Sequence, residues 1–177
     1  MSRIPLAESI SVWMEVEILS RLTPKDGPGP IFKWLFKIPI LYYKLGLGWM
    51  LGRRFLLLTT TGRQSGKPRH TPLEYVYNVK EDTYRISPGW GGNTDWYKNI
   101  QHDPHVTMQI GRHKYEGVAE RASARESAEF MLNTSRRHPS MDKIWDRWTD
   151  KPVDGTWESY LYAAKFFPSV WLKPKKD

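Results

Sequence analysis

The chain has 177 residues, a formal charge of +8 and no cysteine. That length fits one domain with a true core. The missing cysteine excludes disulfides, thiol catalysis and thiolate metal sites, and the positive charge favours an acidic partner: nucleic acid, anionic lipid or a polyanionic small molecule. Nine tryptophans and nine tyrosines suit an aromatic core or a pocket that stacks on flat ligands.

The N-terminus, Met1-Ser2-Arg3-Ile4-Pro5, lacks the charged-then-apolar layout of a secretion signal, so a cytoplasmic setting is expected. Apolar positions at Ile10, Met14 and Ile18, with Val12, Val16 and Leu19, predict a first helix over 6–20. Residues 23–30, Thr-Pro-Lys-Asp-Gly-Pro-Gly-Pro, predict a linker. From 31 to 52 the chain is almost wholly apolar, apart from Lys33, Lys37 and Lys44. On a helical wheel these lysines fall within roughly 40° of one another. Pro39 is expected to kink such a helix. Three lysines and a proline argue against a membrane span. They fit a basic amphipathic segment at a membrane surface, peripheral to the inner face of the plasma membrane, or a helix packed on the domain or in a dimer interface. Residues 1–52 therefore read as an N-terminal helical extension, and 53–177 as the main domain.

From residue 55 the apolar period changes to that of strands, predicted at 55–61, 72–79, 83–87, 105–110 and 113–122. A helix over 93–102 is capped by Asn93 or Thr94, with Asp95 in its first turn. Ser123-Ala124-Arg125-Glu126 reads as a capping box opening a helix to about Arg137. Residues 140–165 predict two further helical pieces, and 168–172 a last strand. Antiparallel strands with inserted and flanking helices imply a small α+β barrel.

The chemistry concentrates between the first two strands, in Gly62-Arg63-Gln64-Ser65-Gly66-Lys67-Pro68-Arg69. Gly62 and Gly66 can adopt positive φ and allow close backbone approach. Successive N–H groups could form an anion-binding nest. Arg63, Lys67 and Arg69 add charge-assisted donors, and the two arginines could grip a phosphate in bidentate fashion. Two readings follow: a binding turn for a phosphorylated cofactor, or a solvated hairpin turn. The spacing is not that of a Walker loop, since three residues separate the glycines and Pro68 follows Lys67. The three-glycine dinucleotide fingerprint is absent.

Further motifs follow in order: Thr71-Pro72-Leu73, Ser87 ahead of Gly89, Gly91 and Gly92, then Asp95-Trp96-Tyr97-x-Asn99, His102-x-Pro104-x-Val106 and Gly111. Together with Leu57–Arg69, this order resembles the deazaflavin-dependent nitroreductase family. These are the coenzyme F420-using members of the split-barrel, flavin-reductase-like superfamily. The likeness covers about 45–122 well and the ends loosely. It implies a split β-barrel and an F420H2-dependent oxidoreductase. Such an enzyme passes hydride from the reduced deazaflavin to a hydrophobic acceptor: a nitroaromatic, quinone, enone or unsaturated lipid. It also implies a strongly anionic cofactor, with a phosphodiester and a polyglutamate tail. On the family pattern Arg63, Gln64, Ser65 and Arg69 face the tail phosphate, within a turn that also carries Gly66 and Lys67. Thr71, Pro72 and Leu73 run beside the ring, with His70 and Glu74 near. Ser87 lies near the ring or the acceptor, and Trp96, Tyr97 and Asn99 form the other wall. A family lysine in the turn is Gln64 here, and the glycine-rich segment carries Pro88 and Trp90.

Hydride transfer asks little of side chains, since the cofactor performs it. A nearby donor would help, and Ser87 is one candidate. The family places a tyrosine after the barrel on the acceptor side, which Tyr160 or Tyr162 could match; otherwise both pack in the core. His102-x-x-His105 lacks metal-site spacing and a third ligand, so no metal is expected. The alternatives are a non-catalytic split-barrel carrier or sensor for FMN, FAD, haem or a lipid, and a nucleic-acid binder. The latter is disfavoured because the cations cluster in one turn and one apolar segment. Split-barrel relatives are often homodimers.

Overall fold

The computed structural model describes residues 38–51, 55–89 and 92–175. The helix expected at 6–20, the linker at 23–30, and residues 31–37, Trp90 and Gly91 lie outside that set. The described chain opens on α1 (Ile38–Lys44) and a 3-10 turn (Gly48–Leu51). A continuous helix to residue 52 is not formed. Gly46 (φ +73°) ends it in a left-handed conformation. Leu47 N–H donates to Tyr42 O and Gly46 N–H to Tyr43 O, a Schellman closure that needs glycine at that position. Pro39 is the second residue of this helix as described; a kink there would involve residues outside the described set.

The strands are β1 (Phe55–Thr61), β2 (Pro68–Glu74), β3 (Val76–Asn78) and β4 (Thr83–Ile86), then β5 (His105–Ile110), β6 (His113–Arg121) and β7 (Val170–Pro174). Between β4 and β5 lies α2 (Asp95–His102). Between β6 and β7 lie α3 (Ala124–Arg137), α4 (Met141–Asp146) and α5 (Trp157–Ala163). The strand expected at 72–79 is two strands, with the break at Tyr75. The first begins at Pro68 because all seven residues of β1 find partners, from Phe55↔Glu74 to Thr61↔Pro68. Proline is tolerated there, at the first residue of an edge strand.

All pairings are antiparallel, in the order β2-β1-β5-β6-β7-β4-β3. The two edge strands, β2 and β3, are separated in sequence by Tyr75 alone. The sheet must therefore curl until its edges meet at one corner, which makes a barrel that stays split elsewhere. The α+β split barrel expected from the sequence is the fold observed. Leu56 and Leu58 of β1, Val106 and Met108 of β5, Ala119 of β6, Val170 and Leu172 of β7 and Ile86 of β4 fill the interior. They alternate with outward residues as the two-residue period demands. Helix α2 contributes Trp96, Tyr97 and Ile100 to the same core.

A second apolar cluster, built from Ala128, Met131, Trp145, Val153, Tyr160, Ala163 and Phe167, belongs to α3, α4, α5 and their loops. The capping box is formed: Ser123 Oγ accepts from Glu126 N–H at 3.1 Å and Ser123 N–H donates to Glu126 Oε2 at 2.8 Å. At α2 the cap position is Thr94, yet its side chain makes no capping bond.

Candidate active site

Strand β1 delivers Thr60 and Thr61 to the turn, and β2 leaves it with Arg69 and Thr71 facing the same side of the sheet as Thr60 and Leu58. Gly62 has no room for a side chain: a Cβ there would lie 2.8 Å from Ser65 Oγ and 3.1 Å from Lys67 O. Gly66 has φ +63°, so it, and not Gly62, supplies the left-handed residue. The turn closes on itself. Gly62 N–H donates to Lys67 O, Ser65 and Gly66 N–H to Gly62 O, and Lys67 N–H to Ser65 Oγ. Arg63 N–H donates to Asn99 Oδ1 at 3.2 Å. The expected nest is therefore not presented, because those N–H groups are already engaged. An anion at this turn would meet side chains.

Gln64, Ser65, Lys67 and Arg69 are exposed at the turn. Arg69 Nη2 donates to Ser65 Oγ at 3.4 Å, which sets a cation beside a hydroxyl. Arg63 points elsewhere. Its Nη2 pairs with Asp95 Oδ1 at 2.9 Å and its Nη1 donates to Asn99 Oδ1 at 3.1 Å. The paired-arginine phosphate grip expected from the sequence is thus not assembled; Lys67 and Arg69 are the exposed cations of the turn.

Beyond the turn, β2 is hydrogen-bonded only to β1. Its other edge, along Thr71, Pro72 and Leu73, is open. Arg85 lies opposite Val76, so the chain leaving β4 comes level with Tyr75 and the end of β2 at Ser87. Ser87 is exposed, and its Oγ is 3.4 Å from Ser169 Oγ. The open edge of β2 and the segment from Ser87 to Gly89 flank the split, or slot, in the sheet.

The other sequence-predicted wall is set deeper than expected. Trp96 and Tyr97 are core residues in edge-to-face contact, with centroids 5.8 Å apart. Asn99 is also buried, and its Nδ2 donates to Thr60 Oγ1 at 3.1 Å. Tyr97 still carries an unsatisfied polar group: its buried hydroxyl has no hydrogen-bond partner among the described residues, and burial raises its pKa. His70 lies on the opposite face of β2 from Arg69, across from Thr59, with Nδ1 2.9 Å from Thr59 Oγ1. Desolvation, then the charges of Lys44 and Lys114, lower its pKa.

Tyr160 and Tyr162 are not brought to the slot. Tyr160 is fully buried in the second cluster, and its hydroxyl donates to Asp142 Oδ1 at 3.1 Å. It keeps step with Trp157 and Ala163 on the packed face of α5. The Tyr162 hydroxyl donates to Asp150, and Lys151 and Lys165 stand over its ring. The residues that sequence reasoning passed over are Thr60 and Asp95 as partners of the turn. Asp95 was legible only as a helix-dipole residue. Among the described residues no group of histidines and carboxylates could hold a metal ion, and no helix is long and apolar enough to cross a membrane.

The model of a family described as F420H(2)-dependent quinone reductase matches residues 43–154. Among solved structures, an F420-H2 dependent reductase is 23% identical over 68% of this chain and 95% of that one, with a TM-score of 0.49. A protein described as a domain-swapped dimer is 21% identical over 80% and 98%, with a TM-score of 0.51. A protein of unknown function from Agrobacterium tumefaciens is 15% identical over 79% and 56%, with a TM-score of 0.50. At these identities the structural likeness is one of fold.

Proposed function

The chain belongs to the F420H2-dependent quinone reductase family and is an F420-dependent reductase; from that premise we propose that its acceptor is a lipophilic quinone, reduced in the slot beside β2. The observation that carries the placement is a cationic turn running directly into an open strand edge. An anionic tail and a flat ring joined end to end need those two features in that order. The residues fit the group. Ser65, Lys67 and Arg69 take the phosphate with charge-assisted bonds. The open edge of β2 along Thr71, Pro72 and Leu73 lies beside the ring.

When bound, the reduced deazaflavin supplies a hydride, which with one proton converts a quinone to its quinol. The chain's own part is to orient the two flat molecules and keep water out. Ser87, with Ser169 behind it, is the hydroxyl placed to donate to the acceptor oxygen as negative charge develops. Tyr160 has no role in this reading.

The acceptor is reached from a lipid surface. Leu41, Leu45, Trp49 and Met50 of α1 and the following turn are exposed large apolar residues. Arg112 lies 5.8 Å from the Trp49 ring, and α1 contacts β2. Tryptophan beside arginine, on a chain of charge +8, suits the boundary of an anionic bilayer. Flotation with phosphatidylglycerol vesicles tests this: the full chain should rise with the vesicles, and Trp49→Ser with Leu45→Ser should not. A homodimer belongs to the same proposal, and light scattering of the purified chain checks it.

The deciding assay is steady-state oxidation of F420H2 with a naphthoquinone, a nitroaromatic and an enone in parallel. Turnover fastest with the quinone supports the reading. Quinone turnover at the uncatalysed rate, with another acceptor consumed, would overturn it.

A further inference from the structure

We propose that Arg63 and Asn99 are positioning residues: they fasten the tail-binding turn to α2 and leave phosphate contact to Lys67 and Arg69. The inference rests on the placement of the cofactor tail at the turn.

Asn99 is 3% exposed, and its side-chain hydrogen bonds all reach other elements. Its Oδ1 accepts from Arg63 N–H at 3.2 Å and from Arg63 Nη1 at 3.1 Å. Its Nδ2 donates to Thr60 Oγ1 at 3.1 Å. Thr60, itself buried, belongs to the strand that feeds the turn. One amide thus ties the end of β1, the first turn residue and the middle of α2 into a single unit. Arg63 reinforces it from outside, with Nη2 on Asp95 Oδ1 at 2.9 Å and Nη1 3.4 Å from Asp95 O.

The strengths of these contacts differ. Asp95 is 86% exposed along its side chain, and an exposed pair contributes little. The Asn99 contacts are sheltered, and leaving a buried amide unpaired is costly. A phosphate could draw the Nη2 end of Arg63 from Asp95, but taking the whole guanidinium would orphan Asn99 Oδ1. Lys67 and Arg69 face no such barrier: both are exposed, and among the described residues the side-chain hydrogen bond of Arg69 is a long one to Ser65.

The test is a fluorescence titration of the full chain with F420 at several ionic strengths, for the wild type, Arg63→Ala, Arg69→Ala, Asp95→Asn and Asn99→Asp. A residue that meets the phosphate carries part of the salt dependence. Arg69→Ala should flatten the plot of log Kd against ionic strength, whereas Arg63→Ala should weaken binding at an unchanged slope. Asp95→Asn should shift affinity by less than about fivefold. Asn99→Asp should bind as the wild type does, because a carboxylate accepts the same two Arg63 bonds and the Thr60 hydroxyl can turn to donate to it.

A ligand-free readout runs beside it. Asn99→Leu should speed amide exchange at Arg63 by about tenfold or more, since its acceptor is gone. If Asn99→Leu does not fold, Asn99→Asp and Asp95→Asn decide the matter. Flattening by Arg63→Ala equal to that by Arg69→Ala, or binding tightened more than about fivefold by Asp95→Asn, would overturn the proposal. Failure of the wild type to bind F420 would instead remove the tail site on which it rests, and exchange at Arg63 would still report whether the fastening exists.

Discussion

His70 and Thr59 face each other across the β1–β2 ladder, with Nδ1 of the imidazole 2.9 Å from the threonine Oγ1. Desolvation, and behind it Lys44 and Lys114, lower the histidine pKa below the ordinary 6.5. Folding therefore favours the neutral ring. Its contribution to stability is complete above 6.5 and is lost as pH falls through the lowered folded value. A two-dimensional NMR titration should give a midpoint below 6.5 for His70. Lys114→Gln should raise it. A wild-type midpoint at or above 6.5 would contradict this arrangement.

Tyr84 offers a second pH handle at the far end of the barrel. Its ring lies 5.5 Å from Tyr75 and 4.9 Å from Tyr77. Burial, then the neighbouring tyrosines and Asp82, push its pKa up to about 12. The protonated phenol stabilises the fold fully below 10, and that contribution disappears between 10 and about 12. Ultraviolet titration should show a late tyrosinate step that Tyr84→Phe removes. Loss of every tyrosine proton by pH 11 in the folded protein would refute it.

Gly117 fixes the middle of the sheet. A Cβ there would stand 2.4 Å from Lys173 O and 2.7 Å from Met108 Cε, and the first contact is backbone that cannot rotate away. Gly117→Ala should destabilise by about 1–3 kcal/mol. The melting temperature should fall by roughly 2–4 °C for each kcal/mol. An unchanged melting curve would show that β6 and β7 are less closely joined than described.

The capping box of α3 makes a milder prediction. Ser123→Ala removes the acceptor of Glu126 N–H and should cost about 1 kcal/mol. Hydrogen bonds from Ser123 hold the Glu126 carboxyl below its ordinary pKa. That stabilisation is present above the ordinary carboxylate value and fades as pH falls through the lowered one. Chemical denaturation at pH 7 and pH 3 should therefore show a smaller Ser123→Ala effect at the acidic pH; an equal effect at both would count against it.

The parts of the fold carried by local signals were readable in the chain. The apolar, β-branched run Phe55–Thr61 marks β1, Ser123 with Glu126 marks the start of α3, and the glycines flank the turn. What could not be read was contact between residues far apart in sequence. The break at Tyr75 depends on where the sheet's two edges meet, a property of closure that no local period encodes. The direction of Arg63 depends on Asn99, 36 positions away. From the turn alone a second phosphate-gripping arginine was the natural expectation. Tyr160 erred the other way: the stripe of Trp157, Tyr160 and Ala163 already marked a buried face, and family resemblance pulled it towards the acceptor.

The measurement closest to the central claim is a fluorescence titration of the full chain and of Lys67→Ala/Arg69→Ala with F420, with FMN and FAD in parallel. Selective F420 binding by the wild type is predicted, with a loss of about a hundredfold or more in the double variant, as expected for two charge-assisted contacts. Equal F420 affinity in the two proteins would contradict the placement of the cofactor tail at the β1–β2 turn.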